Sequence, residues 1–458
     1  MSSVHEPVAV MSQLRDTIRG QIVTPQDAAY DAARTVFYAG FDRRPAVIVR
    51  AADAVDVQQV VTVARDSGME LAIRAGGHST AGHSATEGGI LLDLSLMKGL
   101  EIDAAKRTAW AEAGVLAGEY TLAAAEHGLA TGFGDTGSVG IAGLTLGGGV
   151  GFLVRKYGLT IDDLLAAEIV TADGQMLHVD ADNHPDLFWA IRGGGGNFGV
   201  VTRFKFRLHE VDQVVGGMLI LPATADVITG FIAAAEAAPE ELSAIVNVMK
   251  APPMPFLPEA AHGKVIVMAL MVYVGENGEE VYAPFRALAE PIADMIKPIP
   301  YTDMYPPEEG EFHPLAVGRN MFIDSVDRST AQLILDHINA SSAMMAVSQL
   351  RVLGGAMARV PSDATAFAHR ERRIMANVAA LFGSPDEAAQ HQAWVDDFAA
   401  VLSQGDGAAY VNFVGDEGAA RVRDAYPQAT YDRLAAIKAK YDPANLFHLN
   451  QNIVPQAK

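Results

Sequence analysis

The chain has 458 residues, too many for one hydrophobic core, so two domains are expected. Half of it is hydrophobic (50%) and 19% is charged, which excludes a mostly disordered chain. A net charge of -21 argues against a nucleic-acid phosphate binder or a polybasic membrane anchor, and the absence of cysteine excludes disulfides, thiolate metal sites and cysteine nucleophiles.

In chain order, residues 1–16 (MSSVHEPVAVMSQLRD) lack an apolar run behind a basic start, so no Sec-type signal is expected. A cysteine-free chain without such a signal suits the cytoplasm. Thr24-Pro25 is predicted to open a helix as N-cap and first-turn proline. Between Asp53 and Gly68, the spacing of Val57, Val60, Val61 and Ala64 predicts an amphipathic helix closed by the glycine. Leu71-Ala72-Ile73 reads as a strand running into a glycine-rich loop, and a second helix is predicted from about Leu116 to Glu126. Residues 166–179 read as a hairpin around Asp173-Gly174, and Val200 to Leu208 alternates with the period of a strand.

Near Val211 the composition shifts towards long strands and Ala-rich helices, with a Pro-rich stretch at 252–258. Val265 to Val274 is the most apolar run. Its ten residues are too few for a membrane span and fit a buried strand. From about Tyr410 a helix (Ala429 to Lys440) and LFHLNQNIVP read as an ordered cap. The expected fold class is α+β, with a first domain over 1–212, a second over 213–409 and a C-terminal segment, 410–458, returning to the first.

Glycine clusters at Gly76-Gly77 with Gly82, at Gly147-Gly148-Gly149 with Gly151, and at Gly193 to Gly196 with Gly199. Three clusters suggest backbone wrapped closely round an extended ligand, and nests of N–H groups suit a pyrophosphate in an otherwise acidic protein. Gly194-Gly195-Gly196-Asn197-Phe198-Gly199 satisfies G-x-G-x-x-G but runs into a strand, not a helix, which argues against a dinucleotide fingerprint. His78 and His83 lack a third ligand at a convincing spacing, so no metal is expected. Ser79 fits a hydrolase elbow poorly because Ala81 stands where G-x-S-x-G needs its last glycine.

The phrase Arg74-Ala75-Gly76-Gly77-His78-Ser79, followed by Gly82-His83-Ser84, resembles the flavin loop of the vanillyl-alcohol-oxidase superfamily, the FAD-linked oxidases of PCMH type. TLGGGVGFLVRKYGLTIDDL, HPDLFWAIRGGGGNFGVVTRFKF, Tyr410-Val411-Asn412-Phe413 and YDPANLFHLNQNI extend the likeness, in order, along most of the chain. The closest resemblance is to the berberine-bridge-enzyme-like subgroup.

The resemblance implies a PCMH-type FAD domain (core about 42–211) and an α+β substrate domain with a large antiparallel sheet. It implies FAD bonded through His78 alone, since many subgroup members attach flavin a second time through a cysteine, and Thr136-Gly137-Ser138-Val139-Gly140 stands where that cysteine phrase would be. Arg74, Ala75, Gly76, Gly77, Ser79, His83 and Ser84 would surround the pyrophosphate. Gly137, Ser138, Gly140, Gly143 and Gly147 would lie against the cofactor, Gly199 and Val200 near the adenine, and Asn450 near the flavin ring. Thr136 is either a donor near flavin N5 or a turn residue. The subgroup's GGH phrase is Ala142-Gly143-Leu144, without the histidine. Val139 matches a position that gates oxygen, where valine goes with oxidases.

By the same resemblance Tyr410, with Asn412, is the group that takes the substrate proton, the alternative being a packed core tyrosine. A tyrosine with an ordinary pKa of about 10 needs a nearby cation or donor to serve as base, and Arg319, Arg351 and Arg373 are the candidates. The implied function is oxidation of a C–O or C–N bond in a small organic substrate, with O2 reduced to H2O2. The alternatives are a dehydrogenase with another acceptor, or a catalytically silent flavin-binding protein. A monomer or homodimer is expected, with no nucleic-acid or membrane partner.

Overall fold

The computed structural model describes residues 5–306 and 312–457. The predicted helix near the start runs Ala54–Ser67. Asp53 caps it by accepting the N–H groups of Val55 and Asp56 at 2.9 and 3.0 Å, and Gly68 ends it at φ 69°. Its Val57, Val60, Val61 and Ala64 are buried in the first core with strands Val47–Arg50, Ile90–Asp93 and Leu71–Arg74, which pair parallel. Gln21–Val23 adds an antiparallel edge.

Thr24-Pro25 does not open a helix. The Thr24 N–H and hydroxyl both bond Asp27 at 2.7 Å, and Asp27 N–H returns to the Thr24 carbonyl. This closes a turn, and the helix begins only at Tyr30. Thr24 and Asp27 thus satisfy each other instead of capping a helical turn.

A second, five-stranded antiparallel sheet takes the order Leu100–Asp103, Thr108–Glu112, Val200–Arg207, Leu164–Val170, Met176–Asp180. The predicted hairpin, Leu164–Val170 with Met176–Asp180, forms one edge. All the strands from Gln213 to Phe382 belong to one eight-stranded antiparallel sheet. The apolar run Val265–Tyr273 lies inside it between Gln213–Pro222 and Leu242–Lys250, buried as its composition requires. Helices Ala225–Ala237, Arg328–Ala340 and Ala388–Leu402 bury one face of that sheet in a second core. The chain is thus α+β, with parallel and antiparallel sheets in separate layers. Among the described residues no helix is long and apolar enough to cross a membrane.

The C-terminal helix Gln428–Tyr441 brings the chain back to the first core. Lys438 and Asp442 are both fully buried and paired at 2.9 Å. Lys438 also donates to the carbonyls of Asn197 and Phe447, each at 2.7 Å, tying the glycine loop near 197 to the terminal segment. His369, buried and hydrogen-bonded at 3.0 Å to the Ala425 carbonyl, joins the same region to the large sheet, and burial lowers its pKa to about 4. Below its ordinary value of 6.5, the unfolded chain therefore binds a proton that the folded chain refuses. Stability is whole above pH 6.5 and should fall by about 3 kcal/mol as pH drops towards 4. Urea unfolding at pH 7 and pH 4.5 should show that loss, and a His369→Phe variant should show a shallower one. An unchanged slope would mean that other groups dominate acid destabilisation.

Candidate active site

Between the large sheet and the first two layers lies a cavity of about 970 Å³. Strand Leu71–Arg74 delivers the 75–84 loop to it. Ala75, Gly76, Gly77, His78, Ser79, His83 and Ser84 all line the wall. A Cβ on Gly76 would run into the backbone of Gly140, and one on Gly140 into Gly76, so glycine is required on both sides of that seam. Thr136, Val139, Gly140 and Gly143 continue the wall, Gly199 and Val200 face it from the start of a strand, and Asn450 faces it from the terminal segment.

Four expected residues stand behind the wall. Arg74 turns away: its guanidinium pairs with buried Asp93 at 2.8 Å and donates to the carbonyls of Ala33 and Thr35. Burial alone would raise the Asp93 carboxyl, but the Arg74 charge and hydrogen bonds outweigh it and hold the pKa low. An arginine in a strand has to leave on one face, and here that face carries an acidic partner. Gly137 packs on Gly118 and Tyr305, and Gly147 backs directly on the Asn412 side chain. Ser138 meets His78 instead, Oγ to Nε2 at 3.1 Å, while Phe37 stacks on the imidazole at 4.2 Å. The His78 ring is thereby held edge and face.

Burial brings the His83 pKa down to about 4, with Asp416 opposing and Arg43 assisting, so this ring is neutral at pH 7. Tyr410 is buried, and its hydroxyl oxygen accepts the Gly149 N–H at 2.9 Å and the Asn412 amide at 2.8 Å. Burial pushes the phenol above its ordinary value. The N–H groups of Gly149, Asn412 and Val150 and the charge of Arg351 pull the other way, since each stabilises the phenolate.

Of the three candidate arginines, Arg351 is the one beside Tyr410. It donates to the Val150 carbonyl at 3.1 Å, to Asp135 at 2.6 Å and to Gln349. Arg319 lines the cavity further out, paired with Asp396 and Glu417, and Arg373 pairs with Glu236 elsewhere. Phe37, Tyr38, Gln349 and Asn377 also line the cavity and are not among the expected site residues. Phe37 and Tyr38 carry no sequence signal. Gln349 and Asn377 do carry one, as single amides inside the apolar strands MAVSQLRV and IMANVAALF.

The buried Asn450 carbonyl oxygen faces this cavity without a hydrogen-bond partner among the described residues, as an acceptor for a ligand N–H would. No atom lies within 4 Å of a Cβ built on Gly143 or Gly196. A long glycine-edged cleft with a neutral histidine, a held histidine and an unpaired acceptor fits a flavin dinucleotide. Such a site defines a flavin-dependent oxidoreductase.

Comparison with known proteins agrees. Residues 45–180 match the family described as FAD binding domain, and residues 409–454 match that of berberine and berberine like proteins. The uncharacterised FAD-linked oxidoreductase YgaK of Bacillus subtilis is 31% identical over 96% of this chain and 97% of its own. The (R)-6-hydroxynicotine oxidase of Paenarthrobacter nicotinovorans is 29% identical over 96% and 98%. The crystal structure of 6-hydroxy-D-nicotine oxidase from Arthrobacter nicotinovorans superposes with a TM-score of 0.86, at 29% identity over 96% of this chain and 98% of that one. BBE-like 1 of Physcomitrella patens shares the fold, with a TM-score of 0.87 at 23% identity over 98% of this chain and 100% of that one. The chain belongs to the berberine-bridge-enzyme-like FAD-linked oxidoreductases of PCMH type, and it is an FAD-dependent oxidoreductase.

Proposed function

We propose that this protein is an oxidase that converts a C–O or C–N single bond of a small organic substrate to C=O or C=N. The observation that carries this reading is the Tyr410 hydroxyl, fixed by N–H donors at the cavity wall beside the arginine that favours its anionic form. FAD, when bound, would supply the two-electron acceptor for the hydride of the substrate carbon, with O2 as the terminal oxidant giving H2O2. Tyr410 in its phenolate form receives the proton that leaves the substrate oxygen or nitrogen, which returns it to the neutral phenol. Gly149 and Asn412 orient the phenol, and Arg351, itself held by Asp135 and Gln349, offsets charge on it. The surrounding apolar wall, including Phe413, which packs under Arg351 at 5.2 Å, limits water at this point. The cysteine-free composition suits a cytoplasmic enzyme.

His78 is the proposed point of covalent attachment, and the absence of cysteine leaves no second one. Purified protein should be yellow and keep its flavin through acid precipitation, with an intact mass one FAD above that of the chain. His78→Ala should lose that increment. A wild-type mass equal to the bare chain would end the covalent assignment while leaving tight binding testable by the visible spectrum.

Val139 lines the cavity beside Thr136 and Gly140. Adding one methylene in a close-packed wall can close a path for a diatomic molecule. Val139→Ile should leave reduction by substrate nearly intact and slow reoxidation by about tenfold or more, the scale of a 1.4 kcal/mol barrier change. Stopped-flow mixing of reduced protein with oxygenated buffer reads both arms. Wild-type reoxidation that takes minutes would replace the oxidase with a dehydrogenase.

A further inference from the structure

Four amide side chains fall in one row across the large sheet. The strand registers place Asn247 opposite Gln349, Gln349 opposite Asn377, and Asn377 opposite Asn320. Residues paired directly across strands project to the same face. That face is the cavity side, since Gln349 and Asn377 both line the cavity.

The members differ in how they are satisfied. Gln349 donates to the Asn247 carbonyl at 3.0 Å and accepts from Arg351. Asn320 is fully buried and accepts the Tyr410 N–H at 2.7 Å, which ties the row to the backbone of the proposed base. The Asn377 amide bonds to no described residue, yet stands at the cavity wall with a donor and an acceptor both unused. Around it Ala379, Gly318 and Ala316 line the same surface and leave depth above the strands.

The cations at this end of the cavity are already matched. Arg351 is paired with Asp135 at 2.6 Å, and Arg319 with Asp396 and Glu417, both at 3.0 Å. Glu417 also faces Arg421 at 3.2 Å, and Asp416, on the cavity lining but exposed to solvent, has no ion pair among the described residues. A carboxylate substrate would have to break one of these pairs to find a cation, and an ammonium held at the row would have to break one or reach the hydrated Asp416 to find an anion. Neither replaces the hydration it loses on entry.

We propose that the amide row, through Asn377, selects a substrate that is uncharged and presents a neighbouring donor and acceptor, such as a hydroxy-amide or polyol edge. The inference rests on the oxidoreductase reading and narrows its substrate class. It separates this site from one built for an amine cation, whatever bond is finally oxidised.

Three benzylic alcohols of similar size carry second groups of different charge: mandelamide (neutral), mandelate (anionic) and 2-amino-1-phenylethanol (cationic). Each is titrated anaerobically into the flavin-loaded protein while the visible spectrum of the flavin is followed. The neutral probe should bind at least about tenfold more tightly than either charged one, the scale set by one unmatched buried polar contact. Asn377→Asp places a carboxylate at the row and should move the preference towards the amine by a similar factor. Asn377→Leu, of equal size and without polar atoms, should weaken the neutral probe alone, with near-UV dichroism checking the fold of both variants. A charged probe that binds wild type as tightly, an order unchanged by Asn377→Asp, or no spectral response to any probe would each overturn the proposal. Protein that purifies without flavin absorbance would instead strike at the oxidoreductase reading beneath it.

Discussion

Tyr410→Phe is expected to slow flavin reduction by substrate by roughly 10²–10⁴-fold, the usual loss when a positioned acid–base group is removed. The change deletes one hydroxyl and leaves the ring among Phe367 and Phe413, which meet it at 6.0 and 5.3 Å. Folding and flavin content should therefore survive. Because burial holds the phenol above its ordinary value, wild-type reduction should still be rising with pH through the alkaline range, and the variant should lose that dependence. Rapid-mixing absorbance under anaerobic conditions measures both. Reduction at the wild-type rate would make Tyr410 a packing residue. The carboxamide of Asn412 gives a graded control: Asn412→Ala removes one of the donors to Tyr410 together with the link to the Leu144 carbonyl at 2.9 Å. It should cost less than loss of the hydroxyl itself.

Asp162→Ala should lower stability by about 3–5 kcal/mol, the range measured when one partner of a buried ion pair is removed. Arg370 is fully buried, and both of its terminal nitrogens bond to Asp162, at 2.7 and 2.8 Å. Only Thr365, also at 2.8 Å, would remain to compensate it. The pair joins the short turn Thr160–Asp162 to the segment after the large sheet's Met345–Val352 strand. That turn holds the cavity wall from behind, because Thr160 N–H and Ile161 N–H bond the carbonyls of Gly149 and Gly148. The same Gly149 gives its N–H to Tyr410, so the variant should also lose reduction rate beyond what its stability loss explains. Equilibrium denaturation in guanidinium reads the first effect. The double change Asp162→Leu with Arg370→Met should recover most of the stability, as apolar replacement of buried pairs commonly does. A loss under about 1 kcal/mol would mean that water reaches the guanidinium.

Much of this architecture was legible locally. The Ala54–Ser67 helix declared itself through an apolar stripe, a capping aspartate and a closing glycine, all set by contacts within a few residues. Val265–Tyr273 did so through an unbroken apolar run. Thr24-Pro25 misled because a capping pair and a closed turn share the same residues, and here Asp27 takes both Thr24 donors and closes the turn. The glycine clusters signalled close approach of backbone, since only glycine allows backbone to meet backbone as Gly76 and Gly140 do.

Residue identity and local order alone set the chemistry available: no thiol, a histidine in a glycine loop, a tyrosine with an amide two residues on. Which of these groups meet was settled by the packing of the whole chain. Arg74 stands next to the loop in sequence yet turns its charge to Asp93, while Arg351, distant in sequence, stands beside Tyr410. The amide row likewise exists only as a product of register: its four members lie on four strands, and a slip of one residue would turn any of them to the other face. Helices and turns are written in neighbours a few positions apart, whereas charge pairing and cross-strand alignment are settled by distances in space that no local pattern encodes.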